Sequence, residues 1–332
     1  MALCTINGEK FIQEQLESII HQTMPPAEIV VCDDCSTDST ISLIEMFSKH
    51  SSIPIYIHRN EQQLGVTGNF RKAISLCRED LIALSDQDDF WLTDKLEKQA
   101  AFLQKHIEAK VVFTNLLLVN EKLESLKQTM WDLLNFNRKL KAKWRSGEAL
   151  EILTRFGNVV TGSTIMFRSS CRASFDKTLE YKGKIWIHDG LIALVSAKEN
   201  SISFLDEVTV LYRQHSAQVI GVAPTNPVST GTRLKKLMTG NLNVINELEE
   251  LLSANLKHKD DLIALGFSEG QLSGLNNFIR HLKVRRYLPV SRVKRILPIV
   301  KEWISLRYYK YSGSLVFQAI RDWLVKRSLL LA

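Results

Sequence analysis

Residues 80–91 read Asp-Leu-Ile-Ala-Leu-Ser-Asp-Gln-Asp-Asp-Phe-Trp, an apolar run that ends in three carboxylates, Asp86, Asp88 and Asp89, within four positions. An apolar stretch of this length without polar alternation is the pattern of a strand buried on both faces. Residues 28–33, Glu-Ile-Val-Val-Cys-Asp, repeat the pattern and again close on acid, Asp33-Asp34. Two such strands predict a mainly parallel sheet between helices, because crossover helices are what cover both faces of a sheet.

Outward from these runs, residues 2–5, 54–59 and 110–119 read as further strands. Between them, residues 9–21 place Phe11, Ile12, Leu16, Ile19 and Ile20 at helical spacing. Residues 38–49 put Ile41, Ile44, Met46 and Phe47 inward behind a Ser/Thr/Asp cluster able to cap them, residues 66–76 form a third helix, and Thr93 caps a fourth that runs to His106. This alternation implies right-handed βαβ units. Ligands of such sheets sit beyond the carboxyl ends of the strands, where this chain carries Thr5-Ile6-Asn7, Asp33-Asp34, Arg59-Asn60 and Asp86-Gln87-Asp88-Asp89. Further on, residues 121–143 read as a surface excursion, 158–167 and 202–212 as strands, and 188–199 as a helix. Residues 226–332 read as helical, with a Ser268/Gln271 capping box and Pro289 and Pro298 as punctuation. The expected organisation is one domain over 1–225, with halves 1–120 and 121–225, followed by a basic helical region over 226–332.

The composition, 45% apolar and 24% charged with 15 Gly and 7 Pro among 332 residues, excludes disordered and collagen-like classes and allows a large packed core. The net charge of +7 is unevenly spread: residues 280–332 hold thirteen Lys/Arg against Glu302 and Asp322, a local +11, which leaves residues 1–279 at −4. No apolar run approaches the ~18–20 residues that span a bilayer, and no basic-then-apolar leader opens the chain, so a cytoplasmic location is expected. Five cysteines, an odd number, read as reduced thiols, and Cys32-x-x-Cys35 lacks the second pair that a zinc site would want.

Three carboxylates in four positions repel one another, and beside an apolar strand a cation is the natural compensation. Oxygen ligands point to a hard ion that shares its shell with phosphates, Mg2+ or Mn2+. Composition alone allows the alternative of an exposed acidic turn; the second acidic pair, Asp33-Asp34, on the same sheet weighs against it.

Cys-Thr-Ile-Asn-Gly (4–8), Val-Cys-Asp-Asp-Cys-Ser-Thr-Asp (31–38), Asn60…Leu64-Gly65…Asn69, and Leu-Ser-Asp-Gln-Asp-Asp-Phe-Trp (84–91) followed by Lys95-Leu96 resemble family 2 glycosyltransferases of the GT-A fold. Trp186-Ile187-His188-Asp189, Tyr212-Arg213-Gln214-His215 and Val219-Ile220-Gly221 extend the likeness, which is greatest to the bacterial rhamnosyltransferase-like branch. The resemblance implies a Rossmann-like α/β domain that binds a nucleoside-diphosphate sugar through Thr5, Asn7, Asp33, Asp34, Asn60, Gly65, Asn69, Asp86 and Arg213. Asp34 would take the base and Asp33 would orient its turn. Asp86 and Asp88 resemble the family's Asp-x-Asp element, which with His215 would hold the cation, Asp89 supporting them. Asp189 corresponds to the catalytic base of an inverting displacement, and Gly162, Ser163, Trp186 and His188 would border the acceptor. The first donor implied is dTDP-rhamnose, with a UDP-sugar (Glc, Gal or GlcNAc) as the alternative, and the acceptor a hydroxyl of a glycan or lipid-linked saccharide in bacterial surface polysaccharide synthesis.

The chain departs from the family pattern at Ile6, where Tyr is usual, and at Cys35, where Gly is usual. These departures leave a catalytically inactive nucleotide-sugar-binding scaffold as the rival reading. The basic helices of 280–332 admit two readings: peripheral contact with the inner face of the plasma membrane, or packing against the rest of the chain or a second copy in a homodimer. Nucleic acid is not expected, because no recognition module accompanies the charge.

Overall fold

The computed structural model describes residues 1–180, 186–215, 268–289 and 291–305, together with residues 263, 319 and 323. The chain divides into two compact units, Met1–Val222 and Ala223–Ala332. Val219-Ile220-Gly221 and the helices expected over 226–262 and 306–318 lie outside the described residues.

The first unit opens with β1 (Ala2–Thr5), α1 (Ile12–Ile20), β2 (Ile29–Asp33), α2 (Thr40–Ser48), β3 (Ile55–Arg59), α3 (Gly65–Leu76), β4 (Leu81–Ser85), β5 (Phe90–Trp91) and α4 (Lys95–Lys105). It continues with β6 (Val111–Val119), β7 (Ser125–Thr129), α5 (Met130–Leu133), α6 (Arg138–Lys143), α7 (Ala149–Phe156), β8 (Met166–Arg168), α8 (Arg172–Thr178), α9 (His188–Lys198) and β9 (Ile202–Arg213). Among the described residues these strands form one nine-stranded sheet in the order β3-β2-β1-β4-β8-β6-β9-β5, with β7 paired to β6. Strands β1, β2, β3, β4, β6 and β9 run one way, and β5, β7 and β8 oppose them. The mixed, mainly parallel sheet expected from the doubly buried runs is therefore present.

Alternation along the strands explains both covered faces. Leu3, Ile29, Val31 and Ala83 join Ile12, Leu16, Ile19, Ile44, Leu96 and Leu103 from α1, α2 and α4 in one core. Their sequence neighbours Cys4, Val30, Cys32 and Leu84, also buried, point to the opposite face, where α3 packs on β1 and β2 and is backed by α8 and α9. Each such large apolar side chain contributes roughly 1.5–3 kcal/mol on burial. The parallel register aligns Thr5, Asp33 and Arg59 in one row and pairs Leu3 with Ser85, so the ends of β1 to β4 open at one edge. At the other side of the sheet, antiparallel pairing of Phe90 with Leu211 and Trp91 with Val210 carries Asp88 to a position opposite Arg213.

Several local expectations change. Residues 121–143 are not a bare excursion: Met130, Trp131 and Phe136 are buried, and Trp131 and Phe136 stack with Phe113, Trp144 and Phe204. Of the expected 158–167 strand only Met166 and Phe167 fall in β8, because a 3-10 turn at Gly162–Thr164 breaks the extension. Met46 is exposed, since the apolar face of α2 is narrower than its composition suggests. Asp94, not Thr93, precedes α4, and it caps without a side-chain hydrogen bond. All five cysteines are free thiols, four of them buried.

In the second unit, α10 (Glu269–Arg286) and α11 (Arg292–Ile304) flank Pro289, and Pro298 lies inside α11 instead of ending it. Packing holds that helix despite the lost N–H: Ile299 and Leu288 cluster with Val284 and Ala319. Buried His281 Nδ1 and Glu302 Oε2 lie 2.7 Å apart, and Arg295 Nη1 donates to the Trp323 carbonyl at 3.0 Å. No helix among the described residues is long and apolar enough to cross a membrane.

Phe113 is fully buried at the centre of the aromatic cluster. Phe113→Ala is expected to destabilise the first unit by about 3–5 kcal/mol in denaturant unfolding; an unchanged midpoint would show that the cluster contributes nothing.

Candidate functional site

The ends of β1 and β2 are knitted together before any ligand is considered. Asp33 accepts from Thr5 Oγ1 at 3.0 Å, from Ser36 N at 2.9 Å and from the Ser36 hydroxyl. This carboxylate therefore orients the turn, and Thr5, buried with it, serves the same brace. Asp34 accepts from Asn60 Nδ2 (2.8 Å), Leu64 N (2.7 Å) and Gly65 N (2.9 Å), which fixes the start of α3. Gly65 holds φ 71°, a left-handed conformation that glycine adopts without strain. Asn69 donates to the Cys32 carbonyl at 2.8 Å and accepts from Asn60 at 2.9 Å. Thr5, Asp33, Asp34, Asn60, Gly65 and Asn69 thus meet as a hydrogen-bonded floor whose polar groups largely satisfy one another.

Asn7 and Cys35 stand at the rim of this floor, both with left-handed backbones, φ 46° and 67°. Such a conformation costs a residue with a Cβ roughly 1–2 kcal/mol, and local bonds hold each in place. Asn7 N donates to Ser36 Oγ at 2.9 Å and Asn7 Oδ1 accepts from Thr37 N at 2.9 Å, while Cys35 Sγ donates to the Asn60 carbonyl at 3.3 Å. The position where glycine was expected is therefore one that favours glycine.

Gln87, the residue between Asp86 and Asp88, went unassigned in the sequence reading. Its Oε1 accepts from Ile6 N at 2.8 Å and its Nε2 donates to the Ile6 carbonyl at 2.9 Å, a two-point clamp on the loop after β1. A Cβ on Gly8 would lie 2.2 Å from Gln87 Oε1, so that glycine admits the clamp.

Asp86, Asp88, Asp89 and Asp189 act on one another. Burial, then the charges of Asp88 and Asp189, pushes the Asp86 carboxyl up to about 8. Asp89 is fully buried and raised well above the usual carboxylate range by desolvation and by Asp88 and Asp86. No donor reaches hydrogen-bond geometry on its oxygens; Ser163 and the Arg213 N–H only moderate the rise. Beneath it Lys95, also fully buried, donates to Gln99 Oε1 at 2.8 Å and lies 3.9 Å over the Trp91 ring. Desolvation pulls this ammonium down to about 7, and Asp89 opposes that fall. Tyr212, another residue without a sequence-based role, lies among the same four carboxylates, which with burial push its hydroxyl far up.

Asp88 Oδ2 and His215 Nε2 are 2.9 Å apart, so this expected pair of ligands is brought together. Asp86 is close enough for its charge to interact, but among the described residues no three such ligands converge on one point. The donor set nevertheless fits a hard divalent ion: uncompensated carboxylates and one imidazole, with coordination left for oxygens from elsewhere.

Arg213, expected to bind the diphosphate, is enclosed within the protein. It is 1% exposed; Nε donates to the Asp88 carbonyl at 3.0 Å, Nη2 to Glu14 Oε2 at 2.6 Å and Nη1 to the Glu121 carbonyl, with the guanidinium 4.5 Å from the Phe11 ring. Its donors are committed to positioning Asp88, and His215 packs on the other side of the same arrangement, 4.8 Å from Phe11.

Asp189 sits in the first turn of α9. Burial raises its carboxyl to about 6, against hydrogen bonds from Gly190 N, Gly162 N and Asn158 that favour the ionised form. Trp186 and His188 do not offer open faces to an acceptor. Trp186 is 6% exposed and its ring lies where a Cβ on Gly190 would be, 2.6 Å away. His188 is 3% exposed, stacks on Phe70 at 4.0 Å and is pushed down to about 3 by burial. A Cβ on Gly162 would meet His188 Nε2 at 2.5 Å, so glycine is required there by packing, and Ser163 is fully buried beside it. These four residues shape the wall that holds Asp189.

The profile of the family described as "Glycosyl transferase family 2" matches residues 2–180. dTDP-rhamnosyl transferase RfbG of Shigella flexneri is 39% identical over 99 residues, 29% of this chain and 34% of that protein. Poly(ribitol-phosphate) beta-N-acetylglucosaminyltransferase TarS of Staphylococcus aureus is 32% identical over 105 residues, 31% of this chain and 18% of TarS. The crystal structure of TarS 1-349 with UDP-GlcNAc superposes with TM-score 0.51 at 18% identity, covering 99% of this chain and 90% of that one. Mannosyltransferase PcManGT of Pyrobaculum calidifontis, in complex with GDP-Man and Mn2+, gives 0.50 at 13% identity, covering 98% and 84%. This chain spans about half the length, or less, of the curated relatives it matches. The mainly parallel sheet is that of the GT-A fold, and with more than half of its residues matched by the family profile, the chain belongs to glycosyl transferase family 2.

Proposed function

We propose that the first unit transfers a glycosyl group from a nucleoside-diphosphate sugar to an acceptor hydroxyl with inversion, in bacterial surface polysaccharide synthesis. The observation that carries this reading is the convergence of Asp189, from the start of α9, with Asp86 and Asp88 at the end of β4, close enough that its charge raises Asp86. A base on one side of a carboxylate-lined recess and a cation site on the other is what a single displacement needs. Asp189 takes the proton of the acceptor hydroxyl as that oxygen bonds to the anomeric carbon; the bond to the diphosphate breaks and its electron pair leaves with the nucleoside diphosphate. Asp86, Asp88 and His215 would hold Mg2+ or Mn2+, which when bound stabilises the charge developing on the diphosphate. Thr5, Asp33, Asp34, Asn60, Gly65 and Asn69 keep the nucleotide-binding edge in shape, with Asn7 and Ile6 at its rim. The donor proposed is dTDP-rhamnose, supported by the likeness to RfbG; the likeness to TarS favours UDP-GlcNAc as the second reading.

A panel of nucleotide sugars with Mn2+ is expected to show nucleoside diphosphate release from one donor, abolished by chelation and by Asp88→Ala. Asp189→Asn should lower transfer by about 10²–10⁴ while leaving donor binding intact; full transfer by that variant would remove it as the base.

Since the base must be ionised, kcat should rise with pH through about 6, where Asp189 loses its proton. An acid limb near the ordinary carboxylate value of about 4 would contradict the role.

Gln87→Ala releases the Ile6 loop while sparing the carboxylates. It should raise the donor KM about tenfold, the loss of one or two hydrogen bonds, with a smaller change in kcat. Equal kinetics would show that the clamp is not needed.

A further inference from the structure

Helix α11 (Arg292–Ile304) carries two apolar faces, and only one is covered. At about 100° per residue, Arg295, Ile299 and Glu302 fall on one side, and all three are buried against α10, Ala319 and Trp323. Val293, Ile296, Leu297, Val300, Trp303 and Ile304 fall on a contiguous arc of about 120° away from that contact. All six are exposed, Val293 at 76%, Leu297 at 63% and Ile304 at 71%. Lys294 and Lys301 border the arc on one side and Arg292 on the other, all three exposed. The one acid of the helix, Glu302, is turned inward onto His281.

We propose that α11 docks flat on an anionic lipid surface, its apolar arc entering the acyl boundary and its flanking basic residues meeting lipid phosphates. The charge decides the occupant. Residues 280–332 carry a net +11, so a second copy seated face to face would bring like charge against like charge, whereas a phosphate surface is complementary. Length decides the orientation. Thirteen residues span about 20 Å, short of the ~30 Å hydrocarbon core, so the helix lies in the interface. Long Lys and Arg stems suit this placement, burying their methylenes while the charged heads stay wet. The inference stands on the second unit and is independent of the transferase reading.

Sedimentation of the full chain with vesicles tests it. Phosphatidylcholine/phosphatidylglycerol vesicles should carry the protein down, and phosphatidylcholine alone should not. Leu297→Asn with Ile304→Asn should reduce binding about tenfold or more, and Lys294→Glu with Lys301→Glu should reduce it and weaken its salt dependence. Far-ultraviolet circular dichroism and nucleoside diphosphate release should stay unchanged in both, since these positions are exposed and none of them belongs to the carboxylate site. Binding indifferent to both pairs of substitutions, or absent from anionic vesicles, would overturn the proposal. So would a concentration-dependent dimer, seen by light scattering, that the apolar substitutions abolish.

Discussion

Four carboxylates, Asp86, Asp88, Asp89 and Asp189, are gathered at one edge of a sheet whose strands are buried, where desolvation first and neighbouring negative charge second push Asp86 and Asp89 up. Left to themselves such groups would separate or take up protons. They stay because elements from across the chain pin them: the end of β4, the short β5, the first turn of α9, and β9 running past them. Burial, and after it the charge of the same carboxylates, raises the Tyr212 hydroxyl as well. A divalent ion, as proposed for Asp86, Asp88 and His215, would favour the ionised form of these carboxyls.

The surrounding residues serve this concentration. Arg213, fully enclosed, ties the Asp88 backbone to Glu14 and Glu121, and thereby links β9, α1 and the segment after β6. Lys95 places a fully buried ammonium near Asp89, over the Trp91 ring. The Gln87 side-chain amide couples the acidic turn to the loop after β1 by bonding both the N–H and the carbonyl of Ile6.

Much of this was legible in sequence because it follows from apolar periodicity. The runs at 28–33 and 80–85 announce buried parallel strands, and acids directly after them announce a polar edge. Glycine usual at Cys35 foretold a left-handed backbone, and φ 67° is found there. What could not be read are partners distant in sequence. Nothing in Tyr-Arg-Gln-His tells that Arg213 would be enclosed by Glu14 and Glu121, about 200 and 92 residues away. Trp186 and His188 look like surface recognition groups until Gly190 and Gly162 are seen to receive their rings. Polar composition likewise hid Trp131 and Phe136 within 121–143, whose burial depends on Phe113 and Phe204 from β6 and β9.

On the proposed function, Asp86, Asp88 and His215 bind a divalent ion together with a diphosphate, each relieving the charge of the other. Isothermal titration of Mn2+ into the protein, with and without a nucleoside diphosphate, tests this directly. The account predicts weak binding of the ion alone, tightened at least about tenfold by the diphosphate, a coupling near 1.4 kcal/mol, and lost in Asp88→Ala. Ion binding of equal strength with and without the nucleotide, or retained in Asp88→Ala, would contradict it.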